Sequence, residues 1–225
     1  MEVAQRPRAF VRVAGPDARD YLQRMVSNDV DALAVGDSCP ALLLTAKARL
    51  IAPLVVWRRG EDDYLLLTEP ELGEPVLAHL TRMRLRASCE IAPEEHETVL
   101  AFGGDGITSD FPGAVEMLDA GLEPTLSADE LELRRIEAGV PRWGHELDDR
   151  VLPAEAGLDE THISFTKGCY PGQEPIARLH YRGHVNRKLQ VVDLDDETAV
   201  ERVTSSARRP DGSVVALAYV RTKGG

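Results

Sequence analysis

The segment from Lys167 to Glu174 constrains the fold of this chain more than any other. Its sequence, KGCYPGQE, holds a cation, a thiol, a carboxamide and a carboxylate between two glycines and a proline. Glycine weakens and proline interrupts regular hydrogen-bonded structure, so the segment is predicted to be a shaped loop rather than the interior of a helix or strand. Reactive groups on such a backbone are typical of a functional site.

The residue types leave two interpretations of Cys169 open. A neighbouring ammonium such as that of Lys167, or loop amides directed at the sulfur, would favour a thiolate that acts as nucleophile or ligand. Alternatively, Cys169 is a small buried hydrophobe and Lys167 is simply solvated.

Composition limits the classes of function. At 225 residues and 43% hydrophobic, the chain is long enough for one large domain, or a domain with a small appendage, that has its own core. The formal net charge of −12 argues against nucleic acid as a partner of the whole surface. Between Lys167 and Lys188, however, five cations oppose one carboxylate. This local excess indicates either an anionic ligand or a solvated run of charge.

Cysteine usage and hydropathy predict a location. The three cysteines, Cys39, Cys89 and Cys169, match no disulfide framework and no short metal-ligand spacing, which is consistent with a reducing cytoplasm. The longest apolar run, 50–57, is too short to span a bilayer and contains Pro53. We therefore expect a cytoplasmic protein without a membrane anchor.

One pair of histidines has the spacing of a helical metal site. His180 and His184 are four residues apart, which would place two imidazoles on one helix face. Gly183 lies between them and no H-E-x-x-H pattern is present, so no metal site is predicted.

Hydrophobic periodicity predicts a mixed α+β fold. Helices are expected after Pro16 and Pro75, and Pro53 should make its strand an edge or bulged strand. Glycines and a proline between residues 103 and 113 suggest a passage from the first sheet to a helical segment. The predicted strands of this half are 10–13, 41–45, 50–57, 64–68, 84–91 and 98–102.

The second half is predicted to be helical, then irregular, then β. Ser127 and Glu130 form a capping box for a helix that ends at Gly139. Residues 142–188 show little periodicity and hold most of the motif residues, as expected for loops on a rigid frame. Two or three short strands fit between Leu189 and Arg221.

These patterns predict two domains. The first spans 1–188, with a sheet-and-helix part at 1–102 and a helical and motif-loop part at 103–188. The second is a short β module at 189–225.

Several of these motifs resemble those of one family. KGCYPGQE resembles the K-G-C-[aromatic]-x-G-Q-E signature of the YgfZ-type folate-binding proteins, which are relatives of the aminomethyltransferase, or T-protein, of the glycine cleavage system. The resemblance extends from near Val11 to near Val220, and it implies a T-protein-like α+β fold with a C-terminal β-barrel that is abbreviated here. Further matching patches are Ser27-Asn28-Asp29-Val30, Arg135 to Pro141, Gly144-His145-Glu146, Pro153 to Leu158 and Ala177-Arg178.

The resemblance implies tetrahydrofolate or a related reduced folate in a central cavity, with Cys169 at its rim. Glu146 matches the family glutamate that accepts paired hydrogen bonds from the pterin N–H groups. Arg178 is expected to meet the carboxylates of the glutamate tail, as Arg182 and Arg187 could through the same chemistry. The predicted catalytic residues are Cys169 and Lys167, and the predicted folate-binding residues are Glu146, Arg178, Trp143, Tyr170 and Gln173.

One departure from the T-proteins bears on catalysis. Those enzymes carry an aspartate just after a G-R-x-x-x-D pattern, placed to assist attack on the methylene carrier. The matching run here is Ala48 to Pro53, so the glycine is alanine and the aspartate is proline. Because proline carries no proton and stabilises no iminium, this chain is not expected to be a glycine-cleavage aminomethyltransferase.

The resemblance therefore implies an accessory role in the assembly or repair of iron-sulfur proteins, with an association with tRNA modification and iron-sulfur client proteins as partners. Two alternatives stay open. One is a folate-dependent aminomethyl or methyl transferase in which another acid serves. The other is a noncatalytic module whose basic segment binds RNA or an acidic protein.

Overall fold

The computed structural model describes residues 1–194 and 202–222. Within these ranges the chain forms three antiparallel sheets and four α-helices, which confirms the α+β class. The strands are β1 (Glu2–Gln5), β2 (Ala9–Ala14), β3 (Ser38–Leu44), β4 (Leu50–Arg58), β5 (Asp63–Thr68), β6 (Glu90–Glu94), β7 (Thr98–Phe102), β8 (Ile107–Thr108), β9 (Ala114–Leu118), β10 (Arg187–Asp193), β11 (Arg202–Arg208) and β12 (Val214–Arg221). The helices are α1 (Ala18–Met25), α2 (Gly73–Met83), α3 (Ala128–Glu137) and α4 (Gln173–Arg182).

The central sheet has the strand order β3-β4-β5-β2-β6. Helices α1 and α2 cover one face, because apolar residues at helical spacing, such as Tyr21, Leu22 and Met25, turn toward the sheet. The Tyr21 hydroxyl donates to the Leu80 carbonyl at 2.7 Å and joins the two helices. Both helices were predicted from their sequence periodicity.

A second sheet, of order β1-β7-β9-β8, covers the other face of the central sheet. The prediction for residues 103–113 was wrong here. That stretch turns into β8 and then β9, with the Gly103 amide donating to the Gly113 carbonyl at 3.2 Å, so it closes a sheet instead of leading to a helix. The glycines supply the turns, and the short β8 carries too few residues to show a period.

Two strand predictions also needed correction. The strand expected over 84–91 begins only at Glu90, because Leu85 adopts a left-handed φ of 50° and is 86% exposed. Strand β4 is interior rather than an edge. It tolerates Pro53 because its hydrogen-bonded pairing with β5 starts only at Val55. The bulge that was expected as the alternative is present next to Pro53, where β3 residues Leu43 and Leu44 pair with Ala52 and Leu50 of β4.

The C-terminal sheet has the order β10-β12-β11 and packs against α3. As predicted, Ser127 and Glu130 form a reciprocal capping box at the start of α3, and Gly139 follows its end with a φ of +72°. Residues 195–201 and 223–225 of the predicted 189–225 module lie outside the described residues. The division of the chain at residue 188 stays a prediction.

An ion-pair network joins the ends of two sheets. The His96 ring lies 2.7 Å from Asp119 Oδ2 and 3.0 Å from Glu94 Oε2, and Arg59 pairs with Glu94 at 2.7 Å.

None of the helices in the described ranges combines the length and apolarity that crossing a bilayer requires.

Candidate functional site

The lysine of the signature segment attaches it to the turn after α1. Lys167 is buried, and its Nζ donates to the carbonyls of Val26 at 2.8 Å and Asn28 at 2.6 Å. Burial lowers the Lys167 pKa to about 8, against the opposing influence of Asp29 and Cys39. The ammonium thus faces the turn after α1, and its catalytic role beside Cys169 stays a prediction.

The turn that receives Lys167 is the Ser27-Asn28-Asp29-Val30 motif. Ser27 Oγ donates to the His162 carbonyl at 2.6 Å and accepts from the Leu42 amide at 2.8 Å. Asn28 Nδ2 donates to the Thr161 carbonyl at 3.1 Å. The bond from Lys167 to Asn28 thus joins two motifs that are more than 130 residues apart in sequence.

The second signature glycine is required by close packing. Gly172 has a φ of +85° and precedes α4, and a Cβ at this position would lie 2.7 Å from the Thr45 carbonyl oxygen and 3.0 Å from Ala48 Cα. Ala48 itself has a positive φ of 58°. The turn between β3 and β4 is thus pressed against the start of α4, which only a glycine permits at residue 172.

The signature displays one thiol to solvent. Cys169 and Gly168 are exposed, whereas the next residue, Tyr170, is buried and its ring lies 5.5 Å from Lys167 Nζ. Of the other two cysteines, Cys89 is buried and Cys39 is half-buried, and burial raises the pKa of the Cys39 thiol to about 12. Of the interpretations left open by the sequence, the buried-hydrophobe reading of Cys169 is wrong.

A groove of about 660 Å³ lies along α4, beside the signature. Its apolar part includes Phe165, whose ring stacks on His180 with centroids 3.9 Å apart. Helix α4 was not predicted from the sequence, and Ile176 is its one buried residue.

Cations line this groove. Arg178 forms only an exposed pair with Glu174 at 3.1 Å, and within 1–194 and 202–222 neither Arg182 nor Lys188 has an ion-pair partner. Arg187, in contrast, is held by Glu155 at 3.0 Å. Within the same ranges no histidine, cysteine or carboxylate cluster has the geometry of a metal site.

Glu146 lies in a buried network away from the groove. Its carboxylate accepts from Arg135 Nη1 at 2.9 Å, from the Arg142 amide at 3.0 Å and from Ser205 Oγ at 2.6 Å. Burial raises its pKa, but these bonds, led by that of Ser205, outweigh burial and hold the pKa below its usual value. Glu146 thus joins α3 to the C-terminal sheet, and its contact with a pterin stays a prediction.

The remaining predicted residues are split between core and surface. Trp143 is half-buried between two hydrophobic clusters, and Tyr170 belongs to the cluster beneath the signature. Gln173 is the first residue of α4, and its backbone N–H donates to the Tyr170 carbonyl. Only Arg178 of the predicted folate-binding set lines the groove.

A smaller, partly open cavity of about 150 Å³ contains Pro53 in its wall. Its ionisable residues are Glu69, Asp110 and His162, none of which was singled out from the sequence. They come from three separate connections and carry no motif, so no sequence signal marked them.

Comparisons with known proteins relate these features to a family. Residues 8–104 match the GCVT N-terminal domain. The chain is similar to "Iron-sulfur cluster assembly factor IBA57 homolog, mitochondrial" of Neurospora crassa, at 24% identity over 81% of this chain and 51% of that protein. It is also similar to "tRNA-modifying protein YgfZ" of Pectobacterium carotovorum, at 28% identity over 80% of this chain and 66% of that protein. The chain thus spans about half to two thirds of the length of these two relatives.

The fold has a counterpart among solved structures. The crystal structure of glycine cleavage system aminomethyltransferase T from Bartonella henselae matches with a TM-score of 0.77 and 18% identity, over 95% of this chain and 76% of that one. This likeness confirms the predicted T-protein-like fold. The matched domain, the two kinds of relative and the shared fold support the predicted resemblance of this chain to the YgfZ-type relatives of the glycine cleavage T-protein.

Proposed function

We propose that this protein is a cytoplasmic accessory factor of the YgfZ type that binds a reduced folate and serves the assembly or repair of iron-sulfur proteins. The relatives named for iron-sulfur cluster assembly and for tRNA modification support the proposal. The observation that carries it is the exposed thiol of Cys169, on an anchored loop that leads into α4, the helix whose Arg178 and Arg182 line the groove. Iron-sulfur client proteins are the proposed partners, with a further link to tRNA modification.

The groove suits a tetrahydrofolate-like ligand in size and charge. Ligand pockets usually have volumes of about 300 to 1,000 Å³, a range that includes the 660 Å³ of the groove and excludes the 150 Å³ of the smaller cavity. A flat ring fits the apolar part around Phe165, and guanidinium forks of Arg178 and Arg182 suit the tail carboxylates.

Pro53 separates this role from glycine cleavage. The position that carries an aspartate in the T-proteins has no ionisable group here, while the thiol is retained and exposed. Such a protein would bind folate in the groove and act on a client protein through Cys169, and it would not cleave glycine.

Ligand binding is tested directly. Mass spectrometry of small molecules released from freshly purified protein is expected to identify a reduced folate. In titrations with 5-formyltetrahydrofolate, Arg182→Ala should weaken the binding free energy by about 1 kcal/mol, roughly a fivefold loss of affinity. The loss is modest because the ion pair between Arg182 and a tail carboxylate would be partly solvated. Arg150→Ala, which removes a guanidinium whose side chain is 86% exposed away from the groove, is the matched control. Equal affinities for the two variants would contradict the groove assignment.

The cellular role is tested by complementation. In a bacterium without its own YgfZ, the chain is expected to restore the activity of an iron-sulfur enzyme, and Cys169→Ser should abolish that activity. Cys39→Ser is the matched control, since that residue is half-buried and burial raises the pKa of its thiol. Full rescue by Cys169→Ser would remove the thiol from the function. Salt-dependent RNA binding that folate does not affect would favour the noncatalytic module instead.

A further inference from the structure

The turn after α2 presents a leucine in an unusual conformation. Leu85 has a left-handed φ of 50° and is 86% exposed. The Ala87 amide donates to the Arg84 carbonyl at 2.9 Å, so Leu85 is the second residue of a tight turn. Glycine and asparagine are favoured at a left-handed turn position, whereas a bulky side chain there is strained. Neither the backbone nor the side chain of Leu85 therefore stabilises the fold.

Cations flank this leucine on both sides. Segment 82–86, which we call the arginine turn, has the sequence RMRLR, and all five of its residues are exposed. Two of its arginines contact uncharged groups: Arg82 lies 3.2 Å from the His79 ring, and Arg84 donates to the Cys89 carbonyl at 3.1 Å. Within residues 1–194 and 202–222, no carboxylate pairs with any of its three arginines. In a chain of net charge −12, this surface suits carboxylates from outside the molecule.

An open dish of about 590 Å³ continues the surface from Arg82. It lies between α2 and the turn that joins β3 to β4, and in the described part of the chain no carboxylate lines it. The same β3–β4 turn packs against Gly172, so a partner seated in the dish would border the signature segment. The apolar lining of the dish consists of Ala46, Ile51, Pro75 and Ala78.

The chemistry of this surface favours a protein partner over RNA or a membrane. Unpaired RNA bases are usually held by stacking on aromatic rings, and neither the arginine turn nor the described lining of the dish contains Phe, Tyr or Trp. An anionic membrane would repel a chain of this net charge, and Met83 and Leu85 alone supply little insertion. Arginine and methionine are, in contrast, enriched at protein interfaces.

We propose that the arginine turn and the dish bind an acidic segment of a partner protein. Carboxylates of that segment pair with the three arginines, its apolar side chains cover Leu85, and one of them enters the dish. Burial of Leu85 in the complex supplies the hydrophobic stabilisation that the exposed side chain does not supply to the fold. This surface goes beyond the proposed function, because binding to it requires neither folate nor Cys169.

The first test is a selection of peptides on the intact protein. The probe is a library of short random peptides displayed on phage. Peptides that combine aspartate or glutamate with leucine, isoleucine or phenylalanine are expected to be enriched, and their labelled synthetic forms should bind more weakly as the salt concentration rises. A selection that enriches no peptide, or only peptides without acidic residues, would overturn the proposal.

The variant Leu85→Gly separates binding from folding. Glycine adopts the left-handed turn without strain, so the thermal midpoint of unfolding should not fall. Affinity for the selected peptides should fall at least roughly tenfold, since burying a leucine is worth that factor or more. Val35→Ser, at an apolar residue that is 57% exposed between α1 and β3, is the matched control and should leave affinity unchanged. Equal affinity of Leu85→Gly and the unchanged protein would contradict the proposal.

Charge reversal tests the ion pairs. The Arg86 side chain makes no hydrogen bond or ion pair with the described residues, so Arg86→Glu should leave stability unchanged and weaken peptide binding at least roughly tenfold. Arg208→Glu, at an exposed arginine of the C-terminal sheet, is its control. Polyuridine RNA and vesicles of phosphatidylcholine and phosphatidylserine are the remaining probes. Binding of either one that depends on Leu85 would assign the surface to that ligand and overturn the proposal. Peptide binding that depends on Leu85 supports the proposal whether or not the groove binds folate.

Discussion

The substitution Gly172→Ala tests the packing on which the signature loop depends. The added Cβ meets two obstacles. An alanine at a φ of +85° costs about 1 to 2 kcal/mol in the left-handed region, and contacts of 2.7 and 3.0 Å with backbone atoms of Thr45 and Ala48 add an overpacking cost of about 1 to 3 kcal/mol. The free energy of unfolding should therefore fall by about 2 to 5 kcal/mol.

The same segment supplies the matched control. A Cβ on Gly168 would have no atom within 4 Å, and its φ is not left-handed, so Gly168→Ala should change stability by less than about 0.5 kcal/mol. Denaturant titration gives the free energies of unfolding. In thermal unfolding, where 1 kcal/mol corresponds to about 2 to 4 °C, the midpoint temperature of Gly172→Ala should drop by roughly 4 to 20 °C. Equal stability of the two variants would refute the close packing of α4 on the β3–β4 turn.

Three further predictions address pH, thiol reactivity and a buried pair. Although burial lowers the His96 pKa, its two carboxylate partners outweigh burial and raise the pKa above 6.5. The ion pairs of protonated His96 therefore stabilise the fold fully below about pH 6.5, and this stabilisation is lost as the pH rises through the folded-state pKa. In denaturant titrations, His96→Gln should lower the free energy of unfolding more at pH 5.5 than at pH 9. Iodoacetamide should alkylate Cys169 first in the native protein and leave Cys39 unmodified until unfolding, which peptide mass spectrometry would check. Glu146→Ala should lower the unfolding free energy by about 1.5 to 3 kcal/mol, because it removes a buried carboxylate that accepts from Arg135 and Ser205, while Arg135 keeps its pair with Glu132; a loss below about 1 kcal/mol would contradict the network.

Elements with strong periodicity or caps were predictable from sequence. Helices α1 and α3 followed from an apolar face and a capping box, which are local signals. Helix α4 was missed because it begins inside the glycine- and proline-rich signature, carries Pro175 in its first turn and buries only Ile176. The strand β8 and the strandless stretch around Leu85 were also missed, since short strands and a single left-handed residue leave no periodic trace.

The site was predictable where a motif stood next to its partners in sequence. The signature and Arg178 lie on one loop-helix unit, and the exposed thiol was one of the two stated alternatives. The partners of Lys167 and the Ser205 partner of Glu146 were not predictable, because they come from segments more than 50 residues away, the turn at Asn28 and the strand that carries Ser205. Residue types can suggest that a charge needs a partner, but only the fold selects which one.

The signature divides its residues between support and chemistry. Lys167, Tyr170 and Gly172 face inward and make contacts that any substitution would disturb, whereas Cys169 faces outward and contributes no packing. Loss of function after a change at an inward position is therefore ambiguous, since it can follow from a displaced loop. Loss of function after Cys169→Ser, in a protein of unchanged stability, would have no structural explanation and would identify the sulfur as the group that acts.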